Sequence, residues 1–148
     1  MMRTLRVLPV GLIFAATMTL VSAGSGAAEP AAPASAASAA RAAEPTGFLY
    51  AWQHHHAGGR HCRWDRENAN WAGCRNEVSD VWNNGYPGRQ EDVRLFFNLD
   101  MRGSWVCLQQ GQSIPDLNAA GTVFTAPGKG QGLPVNDNVA SHDWVDAC

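Results

Sequence analysis

Tyr50-Ala51-Trp52-Gln53-His54-His55-His56-Ala57-Gly58-Gly59-Arg60-His61-Cys62-Arg63-Trp64 is the stretch that decides the fold. It sets an aromatic residue, Trp52, seven positions ahead of Gly59, and then places Cys62 and Trp64. The arrangement returns with Phe96 and Gly103 at the same separation, and Cys107 stands where Cys62 stood. Each copy leads to a polar run and a tryptophan. The first reads Asn76-Glu77-Val78-Ser79-Asp80-Val81-Trp82; the second reads Asn136-Asp137-Asn138-Val139-Ala140-Ser141, followed by Trp144. A unit used twice in a short chain fixes the architecture before any single residue is interpreted.

Working outward, the N-terminus reads as a processing segment. Arg3 and Arg6 precede an apolar run from Val7 to Leu20, and small residues follow at Val21-Ser22-Ala23. That is the pattern of a secretory signal peptide over residues 1–23, with cleavage after Ala23 or, alternatively, after Ala27 or Ala28. A membrane anchor is the competing reading, but the run is short for a span of about 20 residues. Residues 24–46 are mostly Ala, Pro, Ser and Gly. Such a stretch has little to bury against its ordering entropy, so it reads as an Ala/Pro-rich disordered spacer. Pro30, Pro33 and Pro45 argue against an Ala-rich helix.

The folded domain is then residues 47–148, with motif one over about 47–85 and motif two over about 92–148. All six tryptophans and all four cysteines fall inside it. The formal charge of the whole chain is −2. Loss of Arg3 and Arg6 makes the mature charge near −4. A mildly acidic domain with Lys129 as its one lysine lacks the basic patch that nucleic acid requires. An even set of cysteines behind a secretion signal reads as two disulfides in an oxidising compartment, and no Cys-x-x-Cys spacing suggests zinc. Four cysteines allow three pairings. The repeat favours Cys62–Cys74 and Cys107–Cys148, one bridge per unit.

Strand-favouring residues gather at 47–52, and 60–64 looks like the return strand across a 53–59 loop. Val78 to Trp82 is a further strand, with Asn83-Asn84-Gly85 as a turn. The second unit repeats this with 92–97, with 104–108 and with a last strand near 142–145. Ala119 to Leu133 has no counterpart in the first unit and reads as an inserted surface loop. No amphipathic helix follows the spacer. Short strands with regular turns imply an all-β sandwich, and two copied four-strand units imply paired Greek keys.

At this point the residues resemble a family. The aromatic-x6-Gly signature, with a later Asn-Asp-x-x-Ser-Ser-type stretch and a Trp, resembles the βγ-crystallin Greek-key motif. Two such motifs with disulfides behind a signal peptide resemble the secreted βγ-crystallin-like peptidase inhibitor family, typified by the Streptomyces metalloproteinase inhibitor. The resemblance implies a βγ-crystallin-like sandwich over 47–148. It implies that Gly59 and Gly103 take left-handed backbone where the first hairpin folds over. Trp52 and Phe96 would pack on that folded hairpin, Ser79 and Ser141 would hold it down, and Trp82 and Trp144 would fill the core.

As to function, the resemblance implies a secreted, monomeric extracellular binding protein that inhibits a protease, specifically a metalloprotease. The loops at 53–59 and 119–133 are the candidate contact surfaces. The alternative is a structural or calcium-stabilised extracellular protein with no protease target. The family's calcium stretch departs from pattern in both copies: Arg75 and Asp80 in the first, Ala140 in the second. One site remains, through Ser79 with Asn136 or Asp137, all oxygen donors suited to the ion. No cofactor is required, and calcium is the one that fits.

A third reading concerns His54-His55-His56, with His61 beside them, as ligands for a transition metal, since imidazole suits zinc, copper and nickel. Consecutive strand residues alternate faces, so the three converge only if the loop curls. An enzyme is the weakest class. Paired cysteines are not nucleophiles, Glu91 and Asp92 read as solvated charge, and the His–acid pairing to look for is His54 with Asp65 or Asp100.

Overall fold

The computed structural model describes residues 44–148. The signal segment 1–23 and the spacer as far as residue 43 lie outside the described residues. Thr46, the last residue assigned to the spacer, is already tied to the domain: its N–H donates to the Asn84 carbonyl at 3.0 Å. No helix among the described residues is long and apolar enough to cross a membrane.

The strands are β1 (Phe48–His54), β2 (Gly58–Trp64), β3 (Asp80–Asn84), β4 (Asp92–Asn98), β5 (Arg102–Leu108), β6 (Ser113–Ile114) and β7 (Ser141–Val145). A 3-10 turn at Ala72–Cys74 is the single helical piece among the described residues. One antiparallel sheet runs β2-β1-β3-β6 and the other β5-β4-β7. β6 comes from the second unit yet pairs with β3 of the first, Val81 opposite Ile114. In return Asn68 of the first unit bridges His142 on β7. Each unit thus lends its third extended piece to the other's sheet, which makes both sheets Greek keys and binds the two units into one core. The fold is an all-β sandwich of two Greek-key motifs, bridged by Cys62–Cys74 and Cys107–Cys148.

Alternation decides which side chains meet. On β1, Leu49 and Ala51 are fully buried, while Phe48, Tyr50 and Trp52 face outward. Val81, Val93, Leu95 and Leu108 join them from the other strands, with Trp71, Val78, Leu117, Val135 and Val139 from the connections.

The duplication holds in register. Trp52 opposes His61 and Asp80, and Phe96 opposes Trp105 and Ser141. Both hairpins carry an irregularity just after the aromatic. Gly59 and Gly103 have φ of 72° and 79°, the left-handed region that glycine enters without a Cβ clash.

That register corrects two expectations, the matching of Cys107 with Cys62 and that of Trp144 with Trp82. Cys62 opposes Ala51, whereas Cys107 opposes Arg94, the partner of the outward face. The equivalent of Cys62 is therefore Val106, one residue earlier, and the two cysteines leave opposite faces of matching strands. Likewise Trp82 matches Asp143, and Trp144 matches Asn83. Trp144 packs on the core. Trp82 does not: it lies on the outer face, stacked on Tyr50 at 5.6 Å, because a one-residue step reverses the face.

Asn83 and Asn84, expected in a turn, end β3. Asn83 is fully buried, and its amide donates to the carbonyls of Glu91 and Leu108 while its oxygen accepts from Gly85 N–H. A side chain that satisfies three backbone groups is stable inside, whatever its turn propensity. Asp92 is no solvated charge either. Its carboxylate accepts from Gln110 N–H at 2.9 Å and from Cys148 N–H at 3.1 Å, so it anchors the C-terminus.

Candidate functional site

Three surfaces were singled out by sequence: the hairpin tips, the polar runs before β3 and β7, and the insert. Asp80 Oδ2 accepts from Ala57 N–H at 2.7 Å and so holds the first tip folded over. Ser141 does the same work in the second unit, accepting from Met101 N–H at 3.1 Å and donating to the Asn98 carbonyl at 2.6 Å. Ser79, expected to hold the tip, does not, since register makes Ala140 its equivalent. Its backbone instead donates to the Trp52 carbonyl and accepts from Leu117 N–H, both at 2.9 Å. Trp52 stacks on Tyr50 at 5.6 Å, and Phe96 is buried beneath Arg94.

The polar runs lie side by side about the internal pseudo-twofold. Asn76 N–H donates to the Val139 carbonyl at 2.9 Å, and Asp137 N–H to the Val78 carbonyl at 3.0 Å. Asn76 and Asp137 are both left-handed, with φ of 56° and 57°. This brings Ser79 into the neighbourhood of Asn136 and Asp137. The Asn136 amide donates to Asp137 Oδ2 at 2.8 Å, and Asn136 Oδ1 is buried with no hydrogen-bond partner. That orphaned acceptor fits a cation. The named side chains nevertheless supply only part of the 6–8 oxygens that calcium takes.

At the first tip the structure gathers a group the sequence did not. His55 and His56 stand with Asp116, from the segment after β6, and their donor atoms lie within 4.8 Å of one another. His54 is excluded because its ring lies over Gly59, where a Cβ would meet it at 2.8 Å. His61 sits on the outer face near Trp52, with ring centroids 6.3 Å apart. Asp65 follows Trp64, which pairs with Leu49 at the far end of the hairpin from His54. Asp100 occupies the other tip, so neither His54 pairing forms.

The insert is not merely a surface loop. Phe124 is fully buried and meets the Phe97 ring edge-on at 5.6 Å. Ser104 N–H donates to the Lys129 carbonyl, Ala126 N–H to that of Trp105, and Phe124 N–H to that of Leu133. Val123 bridges Pro134. Gly130 runs against the Phe97 ring so closely that a Cβ there would sit 2.3 Å from it. Val123 and Leu133 remain outward, 38% and 45% exposed.

A shallow polar cleft lies elsewhere, near Asp65, Arg66, Glu67, Arg89 and Trp144. Its charged groups are acids and guanidiniums, and Tyr86 also lines it.

His142, on the last strand, is a buried ionisable group of the core, as is Asp80. It matches Val81 in register and is inaccessible to solvent. Trp71 Nε1 donates to its Nδ1 at 2.7 Å, and its Nε2 lies 3.0 Å from the Arg66 carbonyl. An indole only donates, so the ring carries its proton on Nε2. Burial lowers its pKa from 6.5 to about 4, against the opposing effects of the Arg66 carbonyl and Asp143.

No protein-family model and no curated protein matches the chain. Solved structures do. A structure on the evolution of the eye lens βγ-crystallin domain fold superposes with a TM-score of 0.49 at 16% identity, over 66% of this chain and 83% of that one. A βγ-crystallin from Ciona intestinalis gives 0.47 at 12%, over 66% and 99%. One from an archaeon gives 0.49 at 11%, over 66% and 96%. These solved structures are βγ-crystallin domains. Superposition at this level is loose, and the double Greek key rests on the strand order and register given above.

Proposed function

We propose that this protein is a secreted, monomeric binding module that presents the 119–133 insert to an extracellular protease, of the metalloprotease kind, and inhibits it. The observation that supports this reading is the state of the insert. It is pinned by backbone hydrogen bonds and by Phe124, while Val123 and Leu133 point outward. A contact surface that is already ordered loses little conformational entropy on binding. The rival loop at 53–59 offers less, since β1 and β2 take most of it and leave a tip of residues 55–57. Two disulfides accord with an oxidising destination.

The test is a titration of thermolysin-like and other secreted proteases with the purified protein. Slow, tight inhibition at equimolar protein is expected, weakened by Val123→Asp and Leu133→Asp without loss of thermal stability. A panel in which no protease responds ends this reading.

A calcium-stabilised structural role has one observation in its favour, the orphaned Asn136 Oδ1 beside Asp137. It predicts a thermal midpoint that rises with millimolar calcium and does so no longer in Asp137→Ala.

A further inference from the structure

We infer that His55, His56 and Asp116 form an open site for a divalent transition-metal cation of the zinc–copper class. The chemistry is that of two imidazoles and one carboxylate, a donor set that suits these ions and leaves a fourth position for water. The histidines converge because the tip curls. His56 and Ala57 have φ of 55° and 59°, two left-handed residues in succession, and the turn they make sets His56 N–H on the Pro115 carbonyl at 2.8 Å. That bond places the tip against Asp116. Asp116 is itself held, since its Oδ1 accepts from Ala119 N–H at 2.9 Å, which leaves Oδ2 for an ion. The imidazole rings of His55 and His56 lie edge to face, 5.1 Å between centroids. Donor atoms within 4.8 Å of one another need only close to the separation of about 3.4 Å that a tetrahedral ion imposes. Exposed imidazoles reach that by rotation about χ1 and χ2.

The internal repeat supplies a control. In the second tip Asp100 and Met101 take the same left-handed pair, φ 58° and 52°, and Asp100 N–H donates to the Ala69 carbonyl at 2.9 Å. The backbone device is therefore common to both units and serves the fold. The side chains differ: Leu99, Asp100 and Asn70 occupy the places of His55, His56 and Asp116. Asn70 also uses its side-chain oxygen on the chain that follows, though two residues on and not three, its Oδ1 accepting from Ala72 N–H at 2.9 Å. The fold thus accommodates Asn at the position of 116 and Leu at that of 55. It does not require two histidines and a carboxylate together.

The second unit also prescribes the variants. His55→Leu and Asp116→Asn copy residues found at the matching positions of the second unit, and His56→Asn keeps a residue type that accepts positive φ. Untagged protein is titrated with Zn2+ and with Cu2+ by calorimetry, with circular dichroism and thermal melts to confirm folding. The expected result is one ion per chain, with affinity falling as the solution is acidified because imidazole must be neutral to bind. Each of the three variants should weaken binding by at least about tenfold. His54→Ala and His61→Ala should leave it unchanged. Two results would overturn the proposal. One is a folded Asp116→Asn variant that binds as the parent does. The other is His54→Ala weakening binding as much as His56→Asn, which would mean chelation by a run of imidazoles with no assembled site.

Discussion

His142 shows what one residue can impose. Its ring is a donor to Arg66 and an acceptor from Trp71, a pattern that only the neutral form can hold. Between pH 6.5 and about 4 the unfolded chain takes up a proton that the folded chain refuses. Stability is therefore full above pH 6.5 and falls with acid until about pH 4, below which this group contributes no further loss. From pH 7 to pH 5 the decrease should be about 2 kcal/mol. Urea unfolding across that range checks it. His142→Gln keeps a donor and an acceptor without titrating, so its stability should be lower but nearly flat over the same interval.

At the level of elements, matching positions in the two sheets carry different chemistry on one geometry. Tyr50 and Trp82 face each other on β1 and β3 and stack. Arg94 and Asp143 take the same places on β4 and β7 and form a bidentate ion pair, with the guanidinium over the Phe96 and Trp105 rings. The insert is the element with no twin. It caps the β4–β5 hairpin through Phe124, and Gly128 and Gly130 allow its backbone to lie against that hairpin. Phe124→Ala should destabilise the domain by about 3–5 kcal/mol in chemical denaturation, as for any large aromatic removed from a core. Leu133→Ala, on the exposed side, should change stability by less than about 0.5 kcal/mol.

On the scale of the whole molecule, the exchanged segments and the bridges make one cooperative body from two units. Cys62–Cys74 closes 12 residues within the first unit, and Cys107–Cys148 closes 41 and fastens the C-terminus to β5. The longer loop restrains the unfolded chain more. Replacing both cysteines of that bridge by serine should cost about 4 kcal/mol, against about 3 kcal/mol for the shorter one. Paired thermal melts of the two double variants compare them. An order reversed between the two would mean that native contacts near Cys62 matter more than chain entropy.

Much of this was legible in the residues because the signals are local. The spacing from aromatic to glycine is a backbone requirement, so it survives translation into sequence, and the duplication, the all-β class and the two left-handed glycines could be read from it. Counting from Gly59 and Gly103 would also have placed Cys62 with Val106. Matching by residue type instead hid a one-residue step, and in a strand such a step changes the face. Other features had no local signal. Asp116 reaches His55 and His56 only because β6 crosses to the first sheet, and His142 meets Trp71 only because Asn68 bridges β7. Sequence by itself determined the repeated unit and its strands. Tertiary structure decided which distant side chains share a place, since contacts between residues far apart in the chain follow from how the two units interlock.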